Sequence, residues 1–311
     1  MHSPPSIVIT QREGFSRSRE SLLSVLTHTP KPYELIYVDG ASPPEVRDEL
    51  RRLSEERGFR LLRHERYLSP NEAREAALPF VSGEYTAFLD NDVLVAEGWL
   101  EGLLTCAAET GAGVVAPLYL ELLEGVERLH MFGGHCRIVE SAGDRMLEVT
   151  HDGRKGQARQ SFTRIQTEHI EMHGFIIRTA LLSSLRVFDP EIPTIPENAD
   201  FCLTVLQAGE TLWIEPRATV TVVLPTEVPE PDRGFYRMRW SDAWIDSGFT
   251  RFREKWGLSG FQPVLDSQRR WAVAHRMVSH EDALHRRLGI PSDSILNRRV
   301  LAPLERAMCG W

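Results

Sequence analysis

The sequence predicts an α/β protein built on a mostly parallel central sheet flanked by helices, followed by a helical C-terminal extension. Three observations lead there. Short β-branched or apolar runs alternate with helical spacing through about the first hundred residues, the pattern of strands joined by right-handed crossovers. Polar residues stand directly after each run, where a parallel sheet presents its ligand site. From Pro225 the chain turns Pro-rich and then rich in Arg and Trp, which sets a boundary near Val228 and divides it into residues 1–226 and 227–311. At 311 residues it exceeds what one core usually holds, in keeping with a large α/β unit and an appendage.

Ser6 to Thr10 (SIVIT) is the first strand, and Leu22, Leu23, Val25 and Leu26 repeat at helical spacing after it. Tyr33 to Val38 is the second strand, stopped by Asp39 and Gly40; Pro43 and Pro44 then suit a first helical turn, where no backbone N–H is needed. Phe59 to Arg63 and Asn71 to Phe80 form a third strand and helix, the latter with Ala73, Ala76, Ala77 and Phe80 on its packed side. Tyr85 to Leu89 is a strand running into Asp90-Asn91-Asp92, and Gly111 to Leu120 gives another. Glu140 to Gln160 is polar and Gly-rich, a hairpin or mobile loop. Thr167 to Arg178 returns to a strand, Asn198 to Ala208 is a helix stopped by Gly209, and Leu212 to Ile214 and Ala218 to Leu224 close the sheet.

A hydrophobic content of 42% with 26% charged residues excludes collagenous and wholly disordered chains. The formal charge of -8 leaves no basic footprint for nucleic acid, so any phosphate chemistry must use local charge or a metal. Cys106, Cys136, Cys202 and Cys309 are scattered, which favours reduced, mostly buried thiols over zinc ribbons or disulfides. The start lacks a charged segment followed by an apolar stretch, and no run of about 18 apolar residues occurs, so a cytoplasmic location is expected. Lysine appears only at Lys31, Lys155 and Lys255, codon bias that fits a GC-rich bacterial genome.

Asp90 and Asp92 straddle one residue at a strand end, where two carboxylates can hold a hard divalent cation, Mn²⁺ or Mg²⁺, together with diphosphate oxygens. Glu197 and Asp200 lie three apart at a helix start, so both are expected to face one cavity, with the helix amino end favouring their charged forms. His169, Glu171 and His173 alternate, and on a strand all three would point to one side; polar alternation on a half-exposed strand outweighs a zinc site here. His130, Gly133, Gly134 and His135 mark a place where the backbone can approach a sugar, or a tight turn. Trp240, Trp244 and Trp256 among Arg237, Arg239 and Arg251 read as a helix packing its aromatic face, or as an acceptor wall or dimer contact.

In this order the pieces resemble the family 2 glycosyltransferases of the GT-A fold: strand-VD-x-x-S at Val38 to Ser42, an N-x-A-R helix at Asn71 to Arg74, strand-D-x-D at Asp90 to Asp92, and an acidic helix start at Glu197. The resemblance runs from about Ser6 to Leu224. It implies that Asp39 meets the nucleoside base, that Ser42, Asn71 and Arg74 lie against the nucleotide, and that Asp90 approaches ribose or sugar while Asp92 ligates the metal. Thr10, Arg12 and Asn91 join the donor-binding set, and Glu171 with His173 lines the acceptor pocket. Asn198 stands where the family usually has the Asp that serves as base, so Glu197 is the expected base and Asp200 the second choice. Such enzymes often add a His ligand after the last core strand; here only His275, His280 and His285 follow.

The expected activity is metal-dependent transfer of a sugar from a nucleotide diphosphate donor, UDP favoured, to an acceptor hydroxyl with inversion. The C-terminal helices cover the acceptor side or mediate a homodimer. The alternative is a non-catalytic sugar-nucleotide binder. Nucleotidyl transfer is disfavoured, since no Gly-rich, Lys-bearing loop follows the first strand.

Overall fold

β1 (Ser6–Thr10) is buried along its whole length because parallel partners flank it on both sides, β2 (Glu34–Gly40) and β4 (Tyr85–Asp90). The computed structural model describes residues 3–141, 143–153, 162–224, 228–278, 284–291 and 294–304. Between β1 and β2 runs α1 (Ser18–His28). Then α2 (Pro44–Arg57) opens on proline and stops at Gly58, whose φ of 73° is the left-handed cap a side chain resists. β3 (Arg60–His64) extends the parallel half beside β2. α3 (Pro70–Ala77) starts with a capping box, Ser69 and Glu72 each satisfying the other's backbone N–H.

Beyond β4 come β5 (Val93–Val95), α4 (Trp99–Thr110), β6 (Val114–Leu123) and β7 (Val126–Met131). A hairpin of β8 (Cys136–Ser141) and β9 (Asp144–Val149) runs into the polar stretch 140–160 expected as a hairpin or loop, of which residues 142 and 154–160 lie outside the described residues. β10 (Ile165–Thr167), β11 (Gly174–Arg178), α5 (Thr179–Leu185), α6 (Glu197–Gln207) and β12 (Leu212–Val223) complete the sheet region. The strand order is β10-β12-β6-β11-β4-β1-β2-β3, with β5 on β12 and β7 on β6. The sheet is parallel from β4 to β3 and in β6–β12, while β11 inserts antiparallel between β4 and β6.

Two expectations change here. The run 167–178 is two strands, because residues 168–173 leave the sheet; the Tyr119 hydroxyl bonds the Glu171 and Gly174 carbonyls and holds the excursion. The two closing strands are one, β12, with a register shift between Glu215 and Thr219, where Pro216 has no N–H to give the ladder.

Alternation along β1 feeds two cores. Ile7 and Ile9 pack with Leu22, Leu50 and Trp99, whereas Val8 joins Phe88, Phe175, Phe188 and Phe201. Beyond β12 come α7 (Arg233–Arg239), α8 (Asp242–Trp256), α9 (Pro263–Val278) and α10 (Leu284–Arg287). Their Tyr236, Trp240, Ile245, Phe249, Phe252, Leu265 and Ala272 belong to the second of these cores. Residues 225–227, where the sequence sets the connector, lie outside the described residues. Cys106, Cys136 and Cys202 are free and buried; Cys309 lies outside the described residues.

Phe201 is fully buried, its ring 4.8 Å from Phe175 and 5.9 Å from Phe188. Phe201→Ala is expected to cost about 3–5 kcal/mol, read as a lower urea midpoint at unchanged slope.

Candidate active site

The end of β4 puts Asp90, Asn91 and Asp92 to three different uses. Asn91 is wholly buried and shapes the loop after β1: its Oδ1 accepts from the Arg12 N–H (2.9 Å), and its Nδ2 donates to the Gly14 carbonyl (3.2 Å) and Ser18 Oγ (3.0 Å). Asp90 is buried among donors, accepting from Arg74 Nη2 (3.4 Å) and His173 Nδ1 (3.1 Å) with Arg12 Nη1 at 3.4 Å. Burial alone would raise its pKa, but Arg12, His173 and Arg74 pull it below the usual carboxylate value.

Asp92 is the opposite case. Among the described residues its Oδ1 is shielded from solvent and has no hydrogen-bond partner. Burial, then repulsion from Asp90 and Glu13, pushes its pKa up to about 7. A buried carboxylate oxygen with no donor beside it suits a hard cation, so the residues fit the divalent metal expected from the sequence; Asp92 would hold it, whereas the Asp90 oxygens are taken by Arg74, His173 and Arg12.

Asp92 lines two cavities. One, of about 490 Å³, is shared with Arg12, Glu13, His130, Glu171, His173, Glu197, Asn198, Trp240 and His275; the other, of about 580 Å³, with Glu13, Gly14, Ser16, Asp232 and Tyr236. Glu13 faces both. No sequence pattern marks it, although it stands in the loop just after the first strand. Arg239 (Nε, 3.3 Å) and His275 (Nε2, 3.7 Å) face its carboxylate. Burial opposes ionisation of Glu13, yet His275, Arg239 and Arg12 bring its pKa down to about 2. His275 thus stands in the site, whereas His285 is buried in α10 and His280 lies outside the described residues.

Glu197 opens α6 and gathers the guanidinium groups. Arg74 Nη1 donates to it at 3.3 Å and Arg239 Nη2 at 3.0 Å, with Arg12 Nη1 at 3.6 Å. Arg74 and Arg239 are each almost wholly buried. Burial and the nearby Arg12 push the Arg239 pKa down, so its position depends on the acids it serves. Asn71 holds this arrangement from behind: its Oδ1 accepts from Arg74 Nη1 (3.1 Å), and its Nδ2 donates to the Asp189 (3.0 Å) and Ile192 (3.2 Å) carbonyls.

Asp200 does not share the Glu197 cavity. Its carboxylate accepts from Lys255 Nζ and Trp256 Nε1, both at 2.8 Å, and so fastens α8 to α6. Asp200→Asn keeps an acceptor for Trp256 but loses the ion pair. The expected outcome is turnover per folded molecule within about 3-fold of wild type, and a loss of about 1–2 kcal/mol, seen as a melting midpoint roughly 2–8 °C lower.

Asp39 is buried at the end of β2, accepting from the Ser42 N–H (3.0 Å), Ser42 Oγ (2.9 Å) and Arg63 Nη1 (2.7 Å). Arg63 was not foreseen. Thr10 is buried with its Oγ1 unpartnered among the described residues. Glu171 and His173, off the expected strand, nevertheless converge on the 490 Å³ cavity: Glu171 accepts from Asn198 Nδ2 (3.2 Å), and its Oε1 lies 3.0 Å from His151 Nε2. His169 sits beside them, 3.1 Å from the Thr150 carbonyl.

Residues 6–178 match the family model described as glycosyl transferase family 2. A pre-mycofactocin glycosyltransferase of Mycobacterium tuberculosis is 24% identical over 221 residues, 70% of this chain and 42% of that protein. A crystal structure of GalNAc-T7 with UDP, GalNAc and Mn²⁺ superposes with a TM-score of 0.62 at 17% identity, covering 96% of this chain and 53% of the other. S. aureus TarS 1-349 in complex with UDP-GlcNAc gives 0.55 at 14% identity, covering 98% and 78%. The chain therefore spans less than half the length of the mycobacterial relative. The fold is of the GT-A type these structures share. Among the described residues no helix is long and apolar enough to cross a membrane.

Proposed function

The chain belongs to glycosyl transferase family 2, and from that premise we propose that it moves a sugar from a UDP-linked donor to an acceptor hydroxyl with the help of Mn²⁺ or Mg²⁺. One observation carries the proposal: a buried Asp92 oxygen with no partner among the described residues, at the end of a parallel strand and opening on the same cavity as Glu197. The complexes of GalNAc-T7 with UDP and Mn²⁺ and of TarS with UDP-GlcNAc support the choice of donor and metal.

Asp92 would hold the divalent ion, which when bound would supply Lewis acidity to the departing diphosphate. Arg12 and Arg239 line or border that cavity and offset further negative charge as it develops. Asp90, fixed by Arg74 and His173, orients the donor's hydroxyls. Glu197 takes the acceptor proton, a role worth about 10²–10⁴ in rate. Its three arginine contacts hold the carboxylate in place. A single displacement with this base inverts the anomeric centre.

The test is release of UDP from UDP-hexoses and UDP-N-acetylhexosamines, with and without Mn²⁺. Metal-dependent release is expected, and NMR of the product reads the anomer. Release of pyrophosphate, or a preference for GDP- or dTDP-sugars, would overturn the donor assignment. A second reading, a non-catalytic sugar-nucleotide binder, draws support from Asn198, whose amide takes no proton and is spent on Glu171 and His169. It predicts tight UDP binding with no release onto any acceptor or water.

A further inference from the structure

The excursion between β10 and β11 brings Glu171 and His173 against His130 at the end of β7. One ligand atom from each of the three lies within 4.8 Å of the others. We propose that this trio is a second metal site, for a borderline transition ion of the Zn²⁺ or Co²⁺ class, separate from the hard-cation position at Asp92 and independent of the donor reading.

Three features argue for a built site. First, both imidazoles are oriented by carboxylates through Nδ1: His130 by Glu121 and His173 by Asp90, the latter at 3.1 Å. A carboxylate on Nδ1 fixes the ring and aims Nε2, the usual support for a metal-bound histidine, and Nε2 gives up any proton it holds when an ion binds. Second, His130 Nε2 is shielded from solvent and has no hydrogen-bond partner among the described residues, its nearest acid being Glu171 Oε1 at 3.8 Å. A buried imidazole nitrogen left so is an unmet demand for a proton or a cation.

Third, Glu171 has capacity to spare. His151 Nε2 and Asn198 Nδ2 each take one oxygen, at 3.0 and 3.2 Å, and a carboxylate offers about four lone-pair positions. Two imidazoles and one carboxylate make a set that suits Zn²⁺ and Co²⁺ better than Mg²⁺, which prefers oxygen. Bonds of about 2.0–2.2 Å require the three side chains to draw together by roughly an ångström, within the reach of small rotations. All three side chains line the 490 Å³ cavity that also holds Glu197 and Asp92.

The intact chain, stripped with chelator, is titrated with Co²⁺ and followed by its visible d–d absorption, then back-titrated with Zn²⁺. A band saturating at one equivalent, displaced by Zn²⁺ and retained in Asp92→Asn, is the expected result. His130→Ala and Glu171→Gln lose the band, and Glu121→Gln weakens Co²⁺ about 10-fold to 100-fold. No stoichiometric uptake by the wild type overturns the proposal, as does a band that vanishes in Asp92→Asn but survives in His130→Ala. If the variants do not fold, the melting midpoint decides: Zn²⁺ raises it equally in wild type and Asp92→Asn, and no rise in either sinks the site.

Discussion

Asp92→Asn is expected to lower Mn²⁺-dependent UDP release by about 10²–10⁴-fold, since the several kcal/mol that a Lewis acid supplies amount to a factor of ten for each 1.36 kcal/mol. The same change is expected to leave the fold intact, since Asp92 Oδ1 has no hydrogen-bond partner among the described residues to lose. In the metal-free protein Asp92 sits near Asp90 and Glu13 with its pKa raised from 3.8 to about 7. An acid whose folded pKa lies above its unfolded one holds an extra proton in the folded state, so its contribution falls as pH rises through that window. Wild-type protein without metal should therefore lose thermal stability between about pH 4 and 7 relative to Asp92→Asn, and the variant should melt at or above wild type at pH 8. Added Mn²⁺ should restore the wild type at pH 8 and leave the variant unmoved. Undiminished release by the variant would remove the metal argument.

Glu197→Gln carries the second large effect, on rate and stability together. Loss of the proposed base costs about 10²–10⁴ in turnover. Loss of the charge leaves Arg74 and Arg239, both nearly without solvent, short of a partner, and breaking a buried pair in this way costs about 3–5 kcal/mol. For a chain of this size that is a midpoint lower by roughly 6–20 °C. Because Arg74 retains Asp90 and Arg239 retains Glu13, the lower end is expected. Arg239→Met in the Glu197→Gln background should cost less than in wild type, with a coupling of about 0.5–3 kcal/mol. Additive effects would show that the pair is not the one that matters.

Much of the frame was legible because burial leaves a period. Ile7, Val8 and Ile9, the run into Asp90, and the prolines and glycines around α2 report their environment locally, and β1 to β4 lie within a residue or two of where the sequence set them. The site was legible only as far as strand ends predict it. Asp90 and Asp92 are legible, but which carboxylate is spent and which is open depends on Arg12, Arg74 and His173, drawn from three distant segments of the chain. Glu197 and Asp200 share a helix start, yet Lys255 and Trp256 claim one of them from α8. The alternation of His169, Glu171 and His173 mimicked a strand. Their real geometry is set by the Tyr119 hydroxyl and by His130 from a different hairpin, which no local pattern encodes.

The antiparallel insertion of β11 also governs how the chain is made. β4 emerges from the ribosome with β1 on one side and nothing on the other, and its second partner, Gly174–Arg178, is still untranslated. At roughly 5–20 residues per second that edge waits several seconds, and β6 waits longer for Leu212–Val223. A nascent sheet with open, largely apolar edges is a template for pairing with other chains. Yield in a heterologous host should thus depend on translation speed and on chaperones that shield strand edges, more than on the stability of the finished protein.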